Sequence, residues 1–221
     1  MRQTFWFKVK SIKEKSCKER PCGSRRAKKN FGQICRNIYE ENKDKYEKVD
    51  LYFQDESRFG LFTKEGRMLT AKGVKPICTS HQVYESTWLF GAFSPITGQY
   101  ILLEFPCCTA DTFQLFLDEL SIENPQTLII MVLDNGAFHK AKRLNIPDNI
   151  KLVFLPPYSP ELNPAEKMWA KFKRGFTNKL FHSLEQVSQF IDNTIKTIDK
   201  QMIISICAYK YIFFDPFWND L

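Results

Sequence analysis

The sequence of 221 residues lacks the marks of several protein classes. No apolar run reaches the roughly 18 residues of a membrane span. The N-terminal stretch MRQTFWFKVKSIKEK has neither the apolar core nor the small-residue cleavage site of a signal peptide. Internal repeats and low-complexity tracts are also absent. Since 43% of the residues are hydrophobic and 14% aromatic, we expect a soluble, non-secreted globular protein with no membrane partner.

Cysteine and histidine are not arranged as in disulfide-rich or zinc proteins. The chain has 7 cysteines and 3 histidines, and no two cysteines form a CxxC pair. The odd count argues against a disulfide framework, and reduced thiols are typical of the cytoplasm. Cys17, Cys22 and Cys35 have no histidine near them, which argues against a zinc site.

The positive charge is concentrated at the N-terminus. Residues 1–49 carry 15 basic and 6 acidic side chains, a net charge of +9, whereas residues 50–221 carry 17 and 19, a net charge of −2. A localised basic segment suits a polyanion such as nucleic acid, but a solvated arm explains the charge equally well. The candidate DNA contacts in this segment are Arg25, Arg26, Lys28 and Lys29.

Hydrophobic periodicity predicts a mixed sheet with helices packed on it. Strands are predicted at VDLYFQD, around Arg67–Thr70, around Pro76–Ser80, and at STWLFGAF, GQYILLEF, LIIMVLD and KLVFL. STWLFGAF and GQYILLEF flank a Pro/Gly turn, which indicates a hairpin. Helices are predicted at Ala27–Tyr46, TADTFQLFLDEL and Ala137–Leu144, from Pro164 onward with Asn163 as its N-cap, and at Leu184–Ile206.

Three acidic residues stand at the ends of these elements. Asp55 shares one face of its predicted strand with three apolar side chains, those of Val49, Leu51 and Phe53. A buried carboxylate must be paired, protonated or bound to a cation. An ion pair between Asp55 and Arg58 explains the pattern as well as a metal does.

The other two acids also have two interpretations each. Asp134 ends the apolar strand LIIMVLD, at the carboxyl edge where open α/β sheets place their sites, yet Asp-Asn-Gly is also a common turn. Glu166 lies in the first turn of a helix whose apolar face is expected to pack on the sheet. Its spacing from Asn163 is also that of a capping arrangement without chemistry.

Together the three acids make an all-oxygen ligand set, which suits Mg²⁺ or Mn²⁺. Two such ions about 3.5–4 Å apart can hold a phosphodiester, one activating the attacking oxygen and the other stabilising the leaving oxygen. Such a site needs no histidine or cysteine.

The stretches FQDES, VLDNGAFHKAK and LPPYSPELNPAEKMWAKFK resemble the catalytic core of DDE transposases. More specifically, these stretches resemble the bacterial insertion-sequence branch of the mariner-like superfamily. Asp55, Asp134 and Glu166 match the three acids of that family in order, and the interval of 32 residues between the last two is close to the compact spacing of the family. PPYSPELNPAE is the most specific element, and the resemblance covers residues 48–205.

The resemblance implies an RNase H-like fold, a mixed β-sheet flanked by helices, and transposition of DNA with two Mg²⁺ or Mn²⁺ ions. All three carboxylates are then metal ligands, with Asp55 bridging both ions. Water attacks a phosphodiester at a transposon end, and the freed 3′-hydroxyl attacks target DNA. The implied partners are DNA and a second copy of the chain, and the implied location is the cytoplasm, in association with the nucleoid.

Weaker assignments surround the acids. Asn135, His139 and Asn163 are expected to support them, and a phosphate contact or a structural hydrogen bond suits His139 equally well. Glu56 points to the other face of its strand and is expected to be a structural or substrate contact. The helix after Glu166 carries four candidate phosphate contacts, although a solvated face explains them as well: Lys167, Lys171, Lys173 and Arg174.

Members of that family carry paired helix-turn-helix modules before the catalytic core. We expect residues 1–47 to be a basic linker or a remnant of such a region, because they are too few for two modules. The expected core is 48–182, and 183–221 form a C-terminal helix and aromatic tail. The alternatives to a transposase catalytic domain are a truncated, inactive DNA-binding remnant and a related RNase H-like nuclease without strand transfer.

Overall fold

The computed structural model describes residues 22–66, 71–72, 77, 79–213 and 218, and for 22–29 and 213 it describes the backbone only. The strand predicted at Arg67–Thr70 lies outside these residues. The strand predicted around Pro76–Ser80 is wrong in its described part, because Ile77, Thr79 and Ser80 are not in a strand. Within the described ranges, no helix combines the length and the apolar character needed to cross a membrane.

Five strands and six α-helices follow one another in the described part of the chain. The strands are β1 (Lys48–Gly60), β2 (Ser86–Phe93), β3 (Tyr100–Phe105), β4 (Thr127–Leu133) and β5 (Ile150–Phe154). The helices are α1 (Cys22–Asn42), α2 (Ala110–Glu123), α3 (Ala165–Phe176), α4 (Leu184–Ile195), α5 (Lys200–Cys207) and α6 (Lys210–Phe213). Short 3₁₀ helices lie at Ala137–Lys140 and Pro160–Leu162.

The strands form one mixed sheet in the order β3-β2-β1-β4-β5. β2 and β3 pair antiparallel as the predicted hairpin, β1 pairs antiparallel with β2, and β4 pairs parallel with both β1 and β5. The prediction of a mixed sheet flanked by helices is therefore confirmed. β1 contacts both its antiparallel and its parallel neighbour, so it lies at the centre of the sheet.

Helices cover both faces of the sheet. On one face, Phe113, Phe116 and Leu117 of α2 pack against side chains that include Met131 and Leu133 of β4. On the other face, α3, α4 and α5 join the cluster that contains Leu51, Phe53, Ile130 and Val132. Alternate residues of β4 thus belong to different clusters, which explains its continuous apolar sequence.

The predicted C-terminal helix is two helices rather than one. The apolar periodicity continues through Leu184–Ile206, but α4 ends at Ile195 and α5 begins at Lys200. The side chain of Asp199 caps α5 by accepting a hydrogen bond of 2.7 Å from the backbone N–H of Met202. A local cap therefore prevails over the periodicity, and Ile203 is buried instead of Met202.

Two other helices differ from prediction in length. The helix predicted at Ala137–Leu144 is only the 3₁₀ helix Ala137–Lys140. α1 begins at Cys22, before the predicted start at Ala27, and ends at Asn42. On its apolar face Phe31 and Cys35 are buried, whereas Ile34 is 43% exposed.

Gly91 allows α3 to approach the sheet closely. Gly91 pairs with Asp55 across β1 and β2. A Cβ atom at Gly91 would lie 2.7 Å from Cη2 of Trp169 and 2.9 Å from Cδ2 of Leu102. Because Trp169 is fully buried in α3, the indole has no space into which it can move.

We predict that Gly91→Ala lowers the free energy of unfolding by about 1–3 kcal/mol, because overpacking pushes α3 away from the sheet. Urea unfolding of both proteins measures the difference.

The matched control is Gly175→Ala in α3, where the added Cβ would lie 3.4 Å from the ring of Phe190, an ordinary contact. It should stabilise the protein by about 0.5–1 kcal/mol through helix propensity. Equal effects of the two substitutions would contradict the close approach at Gly91.

Candidate active site

Strand register brings Asp55 and Asp134 together. β1 and β4 are parallel, and Phe53 pairs with Val132. Asp55 lies two residues after Phe53, and Asp134 lies two residues after Val132. Both acids are therefore at neighbouring positions and on the same face of the sheet. That face is the one on which α3 packs. The interpretation of Asp134 as the end of a central strand is therefore supported. Its Oδ1 accepts a hydrogen bond of 2.8 Å from the backbone N–H of Gly136.

Asn163 ties the start of α3 to β1. Its Nδ2 donates a hydrogen bond of 2.8 Å to the backbone oxygen of Gln54. Its Oδ1 accepts a hydrogen bond of 3.1 Å from the backbone N–H of Ala165. Asn163 is 3% exposed, so this link is protected from water and places Glu166 next to the strand that carries Asp55.

All three acids line one cleft of about 430 Å³. The loop from Leu155 to Pro160 forms its opposite wall. Within that loop Tyr158 is 90% exposed and has a φ of 56°, a left-handed conformation that costs about 1–3 kcal/mol for a bulky residue. Among the residues that the structure describes, no three His, Cys, Asp or Glu side chains are close enough to form a ready-made metal cluster.

The Asp55 carboxyl lies in an unfavourable environment. Burial, then the charges of Glu166, Glu56 and Asp134, raise the pKa of Asp55 to about 8. The ion pair with Arg58 that the sequence left open is not formed, and Arg58 lines a different cleft. Asp55 is therefore a partly buried acid that forms no ion pair with a described side chain.

His139 lies beneath Asp134, not in the cleft. Its Nε2 is hydrogen bonded to Oε1 of Glu56 at 3.0 Å. Its Nδ1 lies 3.0 Å from Oδ1 of Asp134 but is not aligned for a hydrogen bond. Gln54 Nε2 donates a further bond of 2.6 Å to Oε1 of Glu56. His139 therefore makes the structural hydrogen bond that was one of its two predicted roles, and the buried side chain of Glu56 is its partner.

Asn135 joins the ends of two strands. Its Nδ2 donates to the backbone oxygen of Leu155, and its Oδ1 accepts from Nζ of Lys140. The side chain therefore fixes the loop after β4 against the loop after β5, and Asn135 also lines the cleft.

The predicted cations do not share one surface. Lys173 and Arg174 line a second cleft together with Glu166, whereas Lys167 lies over the ring of Tyr209, with Nζ 4.1 Å from its centroid. Lys171 lines neither cleft. The side chains of Arg25, Arg26, Lys28 and Lys29 lie outside the described residues. Lys64 also lines the second cleft. The sequence does not predict this position, because Lys64 lies in an irregular segment after β1.

Known structures share this fold. A pre-cleavage Mos1 transpososome matches with a TM-score of 0.59 and 18% identity, over 88% of this chain and 61% of that chain. A Mos1 transposase paired-end complex with left transposon end matches with a TM-score of 0.57 and 17% identity, over 94% of this chain and 62% of that chain. The catalytic domain of Mos1 mariner transposase matches with a TM-score of 0.53 and 17% identity, over 83% of this chain and 87% of that chain. The expected RNase H-like fold is confirmed.

The chain thus spans 61–62% of the longer Mos1 chains. In sequence, uncharacterized protein y4pE/y4sA of Sinorhizobium fredii is 34% identical over 103 residues, which are 45% of this chain and 76% of that protein. A family model described as DDE superfamily endonuclease matches residues 50–188. That match spans more than half of the chain and includes Asp55, Asp134 and Glu166, so the chain belongs to the DDE superfamily endonuclease family.

Proposed function

We propose that this chain is the catalytic domain of a DDE transposase, which cleaves DNA phosphodiester bonds and transfers the freed strand. One observation carries the proposal: acids from β1, from the end of β4 and from the first turn of α3 line one cleft. In this proposal Asp55, Asp134 and Glu166 are the catalytic residues and would hold two Mg²⁺ or Mn²⁺ ions.

The donor set fits a divalent cation. Its side chains offer only carboxylate oxygens, which Mg²⁺ and Mn²⁺ prefer. No described Lys or Arg forms an ion pair with Asp55 or Glu166, so no direct salt bridge compensates the crowded negative charge. Paired-end complexes of Mos1 are described with Mn and with Mg. Bound Mg²⁺ or Mn²⁺ supplies charge stabilisation and activates water.

The remaining residues position these acids. β1 and β4 hold Asp55 and Asp134 on rigid neighbouring strands, and Asn163 holds the start of α3. The Glu56–His139 pair lies beneath Asp134, with Nδ1 of His139 3.0 Å from Oδ1 of Asp134. Asn135 fixes the adjoining loop. These supporting roles need no contact with the reacting phosphate, in contrast to the phosphate contact that the sequence also allowed for His139.

DNA is the proposed substrate, both as transposon end and as target. Mos1 is described in a complex with a left transposon end and in a strand transfer complex. Within the proposal, the catalytic core is 48–182, and 1–47 are a basic linker or the remnant of a DNA-binding region. Residues 183–221 are the C-terminal part. The same proposal includes a homodimer acting in the cytoplasm at the nucleoid.

We predict that Asp55→Asn raises the melting temperature of the protein in EDTA, and raises it more at pH 8 than at pH 5. The folded-state pKa of about 8 exceeds the ordinary value of 3.8, so the folded protein binds this proton more tightly. Stability from that proton is fully present below about pH 4 and is lost as the pH rises to about 8. Thermal unfolding at several pH values measures the effect.

With Mg²⁺ at pH 8, the wild type should have the higher melting temperature, because the ion stabilises the wild type and not the variant. The control is Asp192→Asn at an exposed position of α4, which should change neither the pH profile nor the response to Mg²⁺. If Asp55→Asn and Asp192→Asn have the same profiles, Asp55 is neither destabilising nor a ligand.

We predict that Asp134→Asn lowers Mn²⁺-dependent DNA cleavage by about 100-fold or more, because loss of a ligand removes several kcal/mol of transition-state stabilisation. The substrate is a plasmid that carries the DNA flanking the gene, and gel electrophoresis detects cut and joined products.

Asp192→Asn should cleave as the wild type does. Cleavage with no joined product would favour the nuclease alternative. A folded wild type that cleaves nothing would favour an inactive remnant and would contradict the proposed activity.

A further inference from the structure

The cleft that contains the acids continues into two others. Glu166 lines the acidic cleft and also a second cleft of about 370 Å³. Lys64 and Lys173 line this second cleft and also a third cleft of about 140 Å³. Because neighbouring clefts share wall residues, they adjoin one another along α3 and form a row, called the path below, that starts at the acids.

The middle of the path is cationic. Lys64, Lys173 and Arg174 line it, and Arg58 adds a fourth cation in the third cleft, where Glu85 is also present. None of these four cations forms an ion pair with a described acid. Burial, followed by the charge of Lys64, lowers the pKa of Lys173. Crowded cations without partners are the surroundings that a phosphate group stabilises.

The far end of the path is aromatic. Phe62 is 44% exposed and Tyr84 is 76% exposed, and both line the third cleft. Their ring centroids are 5.4 Å apart, and their planes are inclined by 31°. An exposed aromatic pair beside cations is the combination with which proteins bind unpaired bases, since every base has a face that stacks.

We propose that this path binds a single, unpaired DNA strand, with backbone phosphates at Lys64, Lys173 and Arg174 and a base stacked on Phe62 and Tyr84. The proposal rests on the proposed function, because it starts from a scissile phosphate at the acids. Beyond the proposed function, the DNA would be melted beside the point of cleavage, and the freed strand would run across α3.

The dimensions of α3 agree with a short unpaired segment. Glu166 and Lys173 are seven residues apart on the helix, which is about 10 Å at 1.5 Å per residue. This length corresponds to at most about three nucleotides, because the rise of one strand in duplex DNA is about 3.4 Å and an unpaired strand extends further per nucleotide. In the proposal, the base on the aromatic pair is therefore a few nucleotides from the scissile phosphate, and it must be unpaired for its face to stack on Phe62 and Tyr84.

The test is the affinity of the full chain for two DNAs in EDTA, a blunt duplex and the same duplex with a single-stranded extension of about six nucleotides. Fluorescence anisotropy at about 50–200 mM salt gives the dissociation constants and their salt dependence. The wild type should bind the extended DNA more tightly. Phe62→Ala/Tyr84→Ala should weaken that binding by about tenfold or more and leave the blunt duplex unchanged.

The cations have a separate signature. Lys64→Gln/Lys173→Gln should lower the slope of log affinity against log salt by about 0.7 for each phosphate of the extension that the variant no longer neutralises. Tyr84→Trp should keep the affinity, and its added tryptophan emission should be quenched when the extension binds.

The matched controls lie elsewhere on the molecule. Lys196→Gln/Lys200→Gln removes the same charge from exposed positions, and Lys200 lies beside Gly98 of the β2–β3 turn, at the opposite end of the sheet. Leu115→Ala/Ile122→Ala removes exposed apolar surface from α2. Both controls should bind the two DNAs as the wild type does.

Each other outcome overturns the proposal. If the aromatic variant binds both DNAs as the wild type does while the wild type cleaves DNA, the strand path is wrong and the proposed function stands. If that variant converts a dimer to a monomer in sedimentation without changing the preference for the extension, the aromatic pair is a subunit interface. If the wild type neither binds nor cleaves DNA, both proposals are wrong.

Discussion

The parallel pairing of β1 with β4 is the interaction on which the rest of the site depends. It places Asp55 and Asp134 at neighbouring positions, each two residues beyond the pair Phe53 and Val132. A slip of one residue would turn Asp55 to the face covered by α2, because side chains alternate along a strand. The apolar residues of β1 and β4 hold the register, since the same slip would also bury polar residues in the core that surrounds Phe53.

The site is held together against an unfavourable charge. Asp55 is partly buried near Glu166, Glu56 and Asp134, and its pKa rises to about 8. Favourable contacts elsewhere offset this repulsion: Trp169 packs over Gly91, and Asn163 bonds to the backbone of β1. The fold therefore stabilises an arrangement that its acids oppose, which is typical of sites arranged for a cation or a reaction.

Local patterns predicted the elements of the site but not all of its contacts. Alternation in VDLYFQD predicted the face of Asp55, and the apolar run before Asp134 predicted a strand buried on both sides. The bond between His139 and Glu56 joins residues 83 positions apart, so it depends on strand register that no local pattern reveals. Likewise Asp199 starts a new helix through one cap although the apolar periodicity continues past it. Nothing in the sequence around Lys64 indicates that it lies beside α3.

The two faces of α3 explain why its cations separate. Residues three or four apart share a helix face, so Glu166, Ala170, Lys173 and Arg174 follow one line along the clefts. Lys167 lies on another line and contacts Tyr209. One helix thus carries an acid at its start and cations two turns later on the same face. In the proposed strand path, a polyanion along this face meets the cations at one end and the Glu166 carboxylate at the other, so the helix itself would orient the strand relative to the acids.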